Sequence, residues 1–306
     1  MSEKTQQQPS GSWFYHRGTG QLEQEKVLGD FLLRFAYQSV FGKLLHWPLF
    51  ANSLCSRLLG YYADSGISRG RIAGTVEQLG IDMSEVEIPE GGFRSFNDFF
   101  TRKLKAGARP LAQEEESLLS PADCRLLVYP QLSGDRCIPV KGAEFTVSEL
   151  LGKPNAELVN FFRGGALCIC RLCPADYHRY HFPADGEILD SWALRGKYHS
   201  VHPIALQRGL RVFGENLRQV SLLKLSPFGK MAFIEVGAFG VASIQQTSTG
   251  KSFRKGDEKG YFAFGGSTIL MIFPPGRVTF SPDLVEKSQE NIECLVRMGE
   301  EIGRLA

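Results

Sequence analysis

Tyr261–Pro275 reads YFAFGGSTILMIFPP, two apolar runs separated by Gly265, Gly266, Ser267 and Thr268. Short apolar runs bounded by glycine and proline read as buried strands, so a tight backbone feature falls between two of them. Glycine immediately before serine has no Cβ to block approach to its carbonyl and reaches backbone conformations closed to other residues. A hydroxyl nucleophile is thus held at a bend beside an accessible carbonyl. Gly-Gly followed by two hydroxyl residues is also the signature of a plain bulge or hairpin turn. Chemistry therefore has to be argued from the rest of the chain.

That chain has 306 residues, 43% hydrophobic and 22% charged, enough for a sizeable core in one large domain or two lobes. A formal charge of +2 without a long basic cluster argues against nucleic acid. Seven cysteines are an odd number, and Cys168, Cys170 and Cys173 lie in the apolar run ALCICRLC. They read as small core hydrophobes in a reducing compartment, not as a disulfide framework. No second Cys or His pair at zinc spacing accompanies them, so no metal is expected.

The N-terminal MSEKTQQQPSG is polar, and residues 1–20 read as a disordered tail. Residues 21–92 read as a helical region. Leu28, Phe31, Leu32 and Phe35 recur at helical spacing, Pro48 breaks or kinks the run, and residues 66–88 form a shorter helical stretch. The apolar region from Phe31 to Tyr62 is interrupted too often to supply the ~20 residues that span a bilayer. Its charges, Arg34, Lys43 and Arg57, are all positive amid Phe, Leu, Tyr and Trp. That pattern suits either core helices or an interfacial helix facing anionic head groups. Phe93–Leu104 places Phe96, Phe99, Phe100 and Leu104 at helical spacing behind Ser95 as an N-cap. Beyond Glu114-Glu115-Glu116, β-like segments dominate to about residue 280. The expected class is α+β, a helical N-terminal region before a mixed, β-rich domain. Within it SPADCRLL (120–127) is echoed by FPADGEIL (182–189), as two hammerhead-like β lobes would produce.

Four of the six histidines, His178, His181, His199 and His202, lie between Asp176 and His202. In DYHRYHFPADGEI, His178 and His181 share a side on a helical turn and oppose each other on a strand, which leaves room for different roles. A Ser–His–Asp arrangement supplies a base for a serine hydroxyl and a carboxylate to orient that base.

Three stretches, SPAD around Asp123, DYHRYH around His181 and FGGST around Ser267, together resemble the phosphatidylserine decarboxylases. Phe96 to Pro110, F-x-x-F-F-x-R-x-L-x-x-x-x-R-P, is similar to that family's segment leading into the catalytic domain. Cys124 stands where the family usually has glycine. The resemblance implies a proenzyme that cuts itself between Gly266 and Ser267 into a large chain, 1–266, and a small chain, 267–306, which remain associated. It implies a catalytic domain over 93–306, a self-cleavage triad of Asp123, His181 and Ser267, and a pyruvoyl cofactor derived from Ser267. That group condenses with the amine of phosphatidylserine and acts as an electron sink while carbon dioxide leaves; His178 is the acid that then protonates the carbon. The product is phosphatidylethanolamine. A peripheral protein on an anionic membrane, facing the cytoplasm of a bacterial cell, follows from the same resemblance, and a homodimer is compatible with it. His199 and His202 read either as structural histidines or as contacts to the head group. A serine hydrolase would use the same three residues without cutting itself, and a lipoyl-like carrier would need a displayed lysine such as Lys141 or Lys153.

Overall fold

The computed structural model describes residues 13–25, 53–133, 136–140, 143–152, 156–197, 199, 211–238, 244–265 and 267–306. Ten strands form one sheet in the order Ser252–Phe253, Asp185–Leu194, Arg218–Ser226, Gly229–Gly237, Ser267–Phe273, Ala166–Leu172, Cys124–Tyr129, Glu293–Val296, Trp13–His16 and Gln21–Gln24. Every neighbouring pair is antiparallel except Trp13–His16 with Glu293–Val296, which is parallel.

The Ser267–Phe273 strand is buried along its whole length, because both faces of this part of the sheet are covered. Ile269, Met271 and Phe273 join Cys168, Cys170 and Phe233 in one core, and Leu270 and Ile272 join Leu167, Ile169 and Ile234 in a second. Alternate side chains of a strand leave on opposite faces, so two cores demand a run without polar alternation. Cys124, Cys168, Cys170, Cys173 and Cys294 are buried free thiols, and burial pushes Cys124 and Cys168 well above the usual thiol range. Cys124, Cys168, Cys170 and Cys294 serve as small hydrophobes, as the sequence implies, whereas the Cys173 thiol donates to Glu25 at 2.6 Å and accepts from Arg171 at 3.2 Å.

Residues 13–24 depart from the expected tail and helix. Trp13–His16 and Gln21–Gln24 pair as a hairpin whose turn places Gly20 at φ 71°. Phe14 is buried beneath the Arg125 guanidinium, 4.2 Å from the ring centre, and the hairpin takes its outer hydrogen bonds from Glu293–Val296. Those partners lie at the other end of the chain, so local polarity did not reveal them. Helix does follow, in Ser53–Asp64, a 3-10 turn over Gly66–Arg71, and Ile72–Leu79, which Gly80 closes at φ 68°. Residues 26–52, with Arg34 and Lys43, lie outside the described residues, as does the Arg57 side chain. No described helix is long and apolar enough to cross a membrane.

The expected helix over 93–104 is shorter, Phe96–Phe100, with Ser95 as its N-cap accepting from the Asp98 amide at 3.1 Å. Leu104 instead pairs with Val86 in a small two-stranded ladder. The echoed segments do not head separate sheets. Both lead into the ten-stranded sheet, and they meet: the Leu119 amide donates to the Pro183 carbonyl at 3.0 Å, and the His181 amide to the Pro121 carbonyl at 2.8 Å. Each proline carbonyl thus accepts from the residue two positions before the other proline. The echoed segments thus contact each other reciprocally.

Candidate active site

That reciprocal contact sets the stage, since Asp123 follows Pro121 by two residues and His181 precedes Pro183 by two. The Glu258–Phe262 strand pairs with Arg179–His181 and Ile244–Gln246 in a three-stranded sheet, and the Phe262 amide donates to the His178 carbonyl at 2.9 Å. Lys259, buried on that strand, ties it to the large sheet through an ion pair with buried Glu235 at 2.6 Å. Ala263, Phe264 and Gly265 then carry the chain toward Ser267, and Gly266 lies outside the described residues. Gly265 has φ 149°, a backbone region strained for any residue with a side chain.

Ser267 opens the central strand, paired with Gly237 on one side and Leu172 on the other. It is fully buried, and its Oγ has no hydrogen-bond partner among the described residues. An unsatisfied buried hydroxyl costs about 1–3 kcal/mol, so stability does not explain a serine here. Gly237, its cross-strand neighbour on the same face, contributes no side chain to crowd it.

His178 is fully buried against Phe100, with ring centres 3.8 Å apart. Its Nδ1 lies 2.9 Å from the Asp176 carbonyl, which only accepts, so Nδ1 carries the proton. Nε2 is buried without a partner among the described residues. Burial, reinforced by the nearby Arg102 guanidinium and partly offset by the bond to Asp176, pushes His178 down to about 3. At neutral pH its Nε2 therefore presents a lone pair. Arg102 Nη2 donates to the same Asp176 carbonyl at 3.0 Å and to that of Ala175 at 2.8 Å.

His181 is oriented differently from expectation. Its Nδ1 donates to the Gly256 carbonyl at 2.9 Å, and its Nε2 accepts from the Tyr177 hydroxyl at 3.2 Å. Burial lowers its pKa as well. Asp123 forms no hydrogen bond with it among the described residues. The Asp123 carboxylate is held instead by Arg109, with Nε at 2.9 Å and Nη2 at 2.6 Å, and by the Met298 amide at 2.8 Å. Arg109 continues to Glu85 at 2.8 Å, and Glu85 to Arg297 at 3.0 Å. Asp123 acts on His181 through space, where its charge favours the protonated ring. A cavity of about 210 Å³ lined by Arg102, Arg109, Asp123, Asp176 and Tyr177 adjoins this side, while Ser267 and His178 stay sealed.

Phe264, the last side chain before Ser267, meets Phe96 and Phe100 edge-on at 5.0 and 5.2 Å. Phe100 thus touches both His178 and the loop before the serine. Sequence reasoning singled out Phe96, Phe100, Arg102 and Arg109 as a motif without assigning them contacts, and it gave Tyr177 no role. Arg109 was detectable only as a member of a matched motif, because its partners Glu85 and Asp123 lie outside that motif, whereas Tyr177 stands four residues before its partner His181 within DYHRYH. His199 is buried, with its amide and carbonyl both bound by the Asn216 side chain, in keeping with a structural histidine. His202, Lys141 and Lys153 lie outside the described residues.

The residues at Ser267 fit a pyruvoyl group, whose carbonyl takes the place of the amine at the Ser267 α-carbon while the side chain becomes a methyl: among the described residues the hydroxyl has no partner to lose, and glycine faces it across the strand. The family model for phosphatidylserine decarboxylase matches residues 96–304. The chain is 40% identical over 291 residues to the phosphatidylserine decarboxylase proenzyme of Fusobacterium nucleatum, covering 95% of this chain and 96% of that protein. It is 41% identical over 290 residues to the Ruminiclostridium cellulolyticum proenzyme of the same name, covering 94% and 96%. The corresponding Chlamydia trachomatis proenzyme is 39% identical over 292 residues, covering 95% and 96%. This chain is therefore an enzyme of the carboxy-lyase class. It belongs to the phosphatidylserine decarboxylase family.

Proposed function

We propose that this protein is a precursor that cuts itself between Gly266 and Ser267 and then decarboxylates phosphatidylserine to phosphatidylethanolamine. The observation that carries this reading is the buried, unpartnered Ser267 hydroxyl at the head of the central strand, directly after glycine. His181 takes the hydroxyl proton at Nε2, exchanging the Tyr177 contact for Ser267, and the charge of Asp123 stabilises the imidazolium. The Ser267 oxygen forms an ester with the Gly266 carbonyl as the peptide nitrogen leaves and takes up a proton. Loss of the Ser267 α-hydrogen expels Gly266 as a carboxylate, and hydrolysis of the remaining enamine releases ammonia and leaves a pyruvoyl group. The two chains stay associated because Ser267–Phe273 is hydrogen-bonded on both edges to strands of the large chain.

The pyruvoyl group supplies the electron sink for decarboxylation. His178 moves the proton: Nε2 takes it from the substrate ammonium and returns it to the carbon from which carbon dioxide has left. Phe96, Phe100 and Phe264 keep water from that carbon. Purified protein should release carbon dioxide from phosphatidylserine, and phenylhydrazine, which captures a reactive carbonyl, should abolish it. Undiminished release after phenylhydrazine would sink the pyruvoyl reading.

The substrate resides in a membrane, and the N-terminal region is the part proposed to meet it. On Ser53–Asp64 and the following turn, Leu58, Tyr61, Tyr62 and Ile67 are exposed, Ile67 to 83%. Arg34, Lys43 and Arg57 add attraction to anionic head groups of about 1 kcal/mol each, together about two orders of magnitude in binding. Arg34→Gln, Lys43→Gln and Arg57→Gln combined should reduce sedimentation with anionic liposomes and leave self-cleavage intact. Equal sedimentation of parent and triple variant would remove these cations from the membrane contact.

A further inference from the structure

Gly265 and Gly266 have no side chains, so Phe264 is the last residue whose side chain can anchor the chain before the proposed cut. Beyond its ring contacts, the Phe264 amide donates to Asn97 Oδ1 at 2.8 Å. Asn97 Nδ2 donates to Asp64 Oδ1 at 2.6 Å. A carboxylate only accepts, so Asp64 decides which way the Asn97 amide faces: nitrogen toward Asp64, oxygen toward Phe264. The backbone of Asn97 is fixed as well, its carbonyl accepting from both the Thr101 amide and the Thr101 hydroxyl at 2.9 Å. Asp64 is the last residue of the Ser53–Asp64 helix. A continuous relay therefore runs from the end of that helix through one amide side chain to the cleavage loop.

We propose that Asp64 and Asn97 are positioning residues for self-cleavage, holding Phe264 so that the Gly266 carbonyl stays within reach of the Ser267 oxygen. The proposal rests on the reading that the cut falls between Gly266 and Ser267. Neither residue performs a chemical step. Their effect comes through geometry, and a displacement of about 1 Å at a reacting centre is enough for about a hundredfold loss of rate. Asp64 is solvent-exposed and Asn97 half-buried, so exchanging the two side chains moves the carboxylate to a position that still reaches solvent and accepts from the Phe264 amide.

The experiment follows the appearance of the small chain in full-length precursor made by cell-free translation. Asn97→Asp sets two carboxylates against each other at the position of the 2.6 Å bond and should slow cleavage about tenfold or more. Combining Asn97→Asp with Asp64→Asn puts the donor at 64 and an acceptor at 97, still able to receive the Phe264 amide. That exchange should restore cleavage to within about twofold of the parent, a coupling expected only of residues in direct contact. Unfolding midpoints of the same variants in a Ser267→Ala background separate positioning from loss of fold: a positioning role changes the rate without a matching change in midpoint. Parental cleavage in Asn97→Asp, or an exchange as slow as the single variant, overturns the proposal. Cleavage in Ser267→Ala alone would instead overturn the reading on which it rests.

Discussion

Ser267→Ala should leave one uncut chain of 34.0 kDa with no decarboxylase activity. Without the hydroxyl there is no ester with Gly266, and hence no N-terminal carbonyl for the later reaction. Loss of a nucleophile that acts together with its base costs on the order of a millionfold. The variant should still fold, because Oγ gives up no hydrogen bond on its removal. Intact mass and a denaturing gel read the result. Appearance of the 267–306 fragment in this variant would show that the cut needs no serine oxygen.

His178→Ala should behave oppositely at the first step, cutting itself while turnover falls by about 10²–10⁴, the usual contribution of a positioned acid or base. Its proposed proton is needed only once substrate has bound, whereas His181 is the base proposed for the cut. A His178→Ala variant that stays uncut would mean that the two histidines have the reverse roles. The same substitution has a signature in stability. Burial pushes His178 from 6.5 down to about 3, so between those values the unfolded chain binds more protons at this site than the folded one. The contribution is fully present above pH 6.5 and is lost as pH falls toward 3, on the order of a few kcal/mol. Denaturant unfolding of the uncut Ser267→Ala protein across that range should show a steep decline on acidification. Adding His178→Ala should make it shallower; an unchanged slope would mean that the ring is solvated.

Much of this was legible in the chain itself. STILMIF has no polar alternation because it is covered on both faces, and that pattern is local. The serine after two glycines, the two histidines of DYHRYH and the aspartate of SPAD are likewise local words, and their joint occurrence pointed to one family. The Ser95 cap and the apolar spacing of Phe96, Phe99 and Phe100 also stood in the sequence, since both follow from the neighbours of each residue along the chain.

Tertiary structure decided the partners. Asp123 was expected beside His181, yet its oxygens face Arg109 and the Met298 amide, because the chain end returns to that edge of the sheet. His181 takes its orientation from Gly256 and Tyr177, one of them far along the chain. Trp13–His16 and its hairpin partner join the large sheet because Glu293–Val296 offers backbone hydrogen bonds. Asn97 looked like an ordinary polar position on a short helix until Phe264 and Asp64 came to opposite ends of its amide. A sequence determines propensity and burial through periodicity, which acts over a few residues. Which donor meets which acceptor depends on contacts between remote segments, and those exist only once the sheet has brought them together.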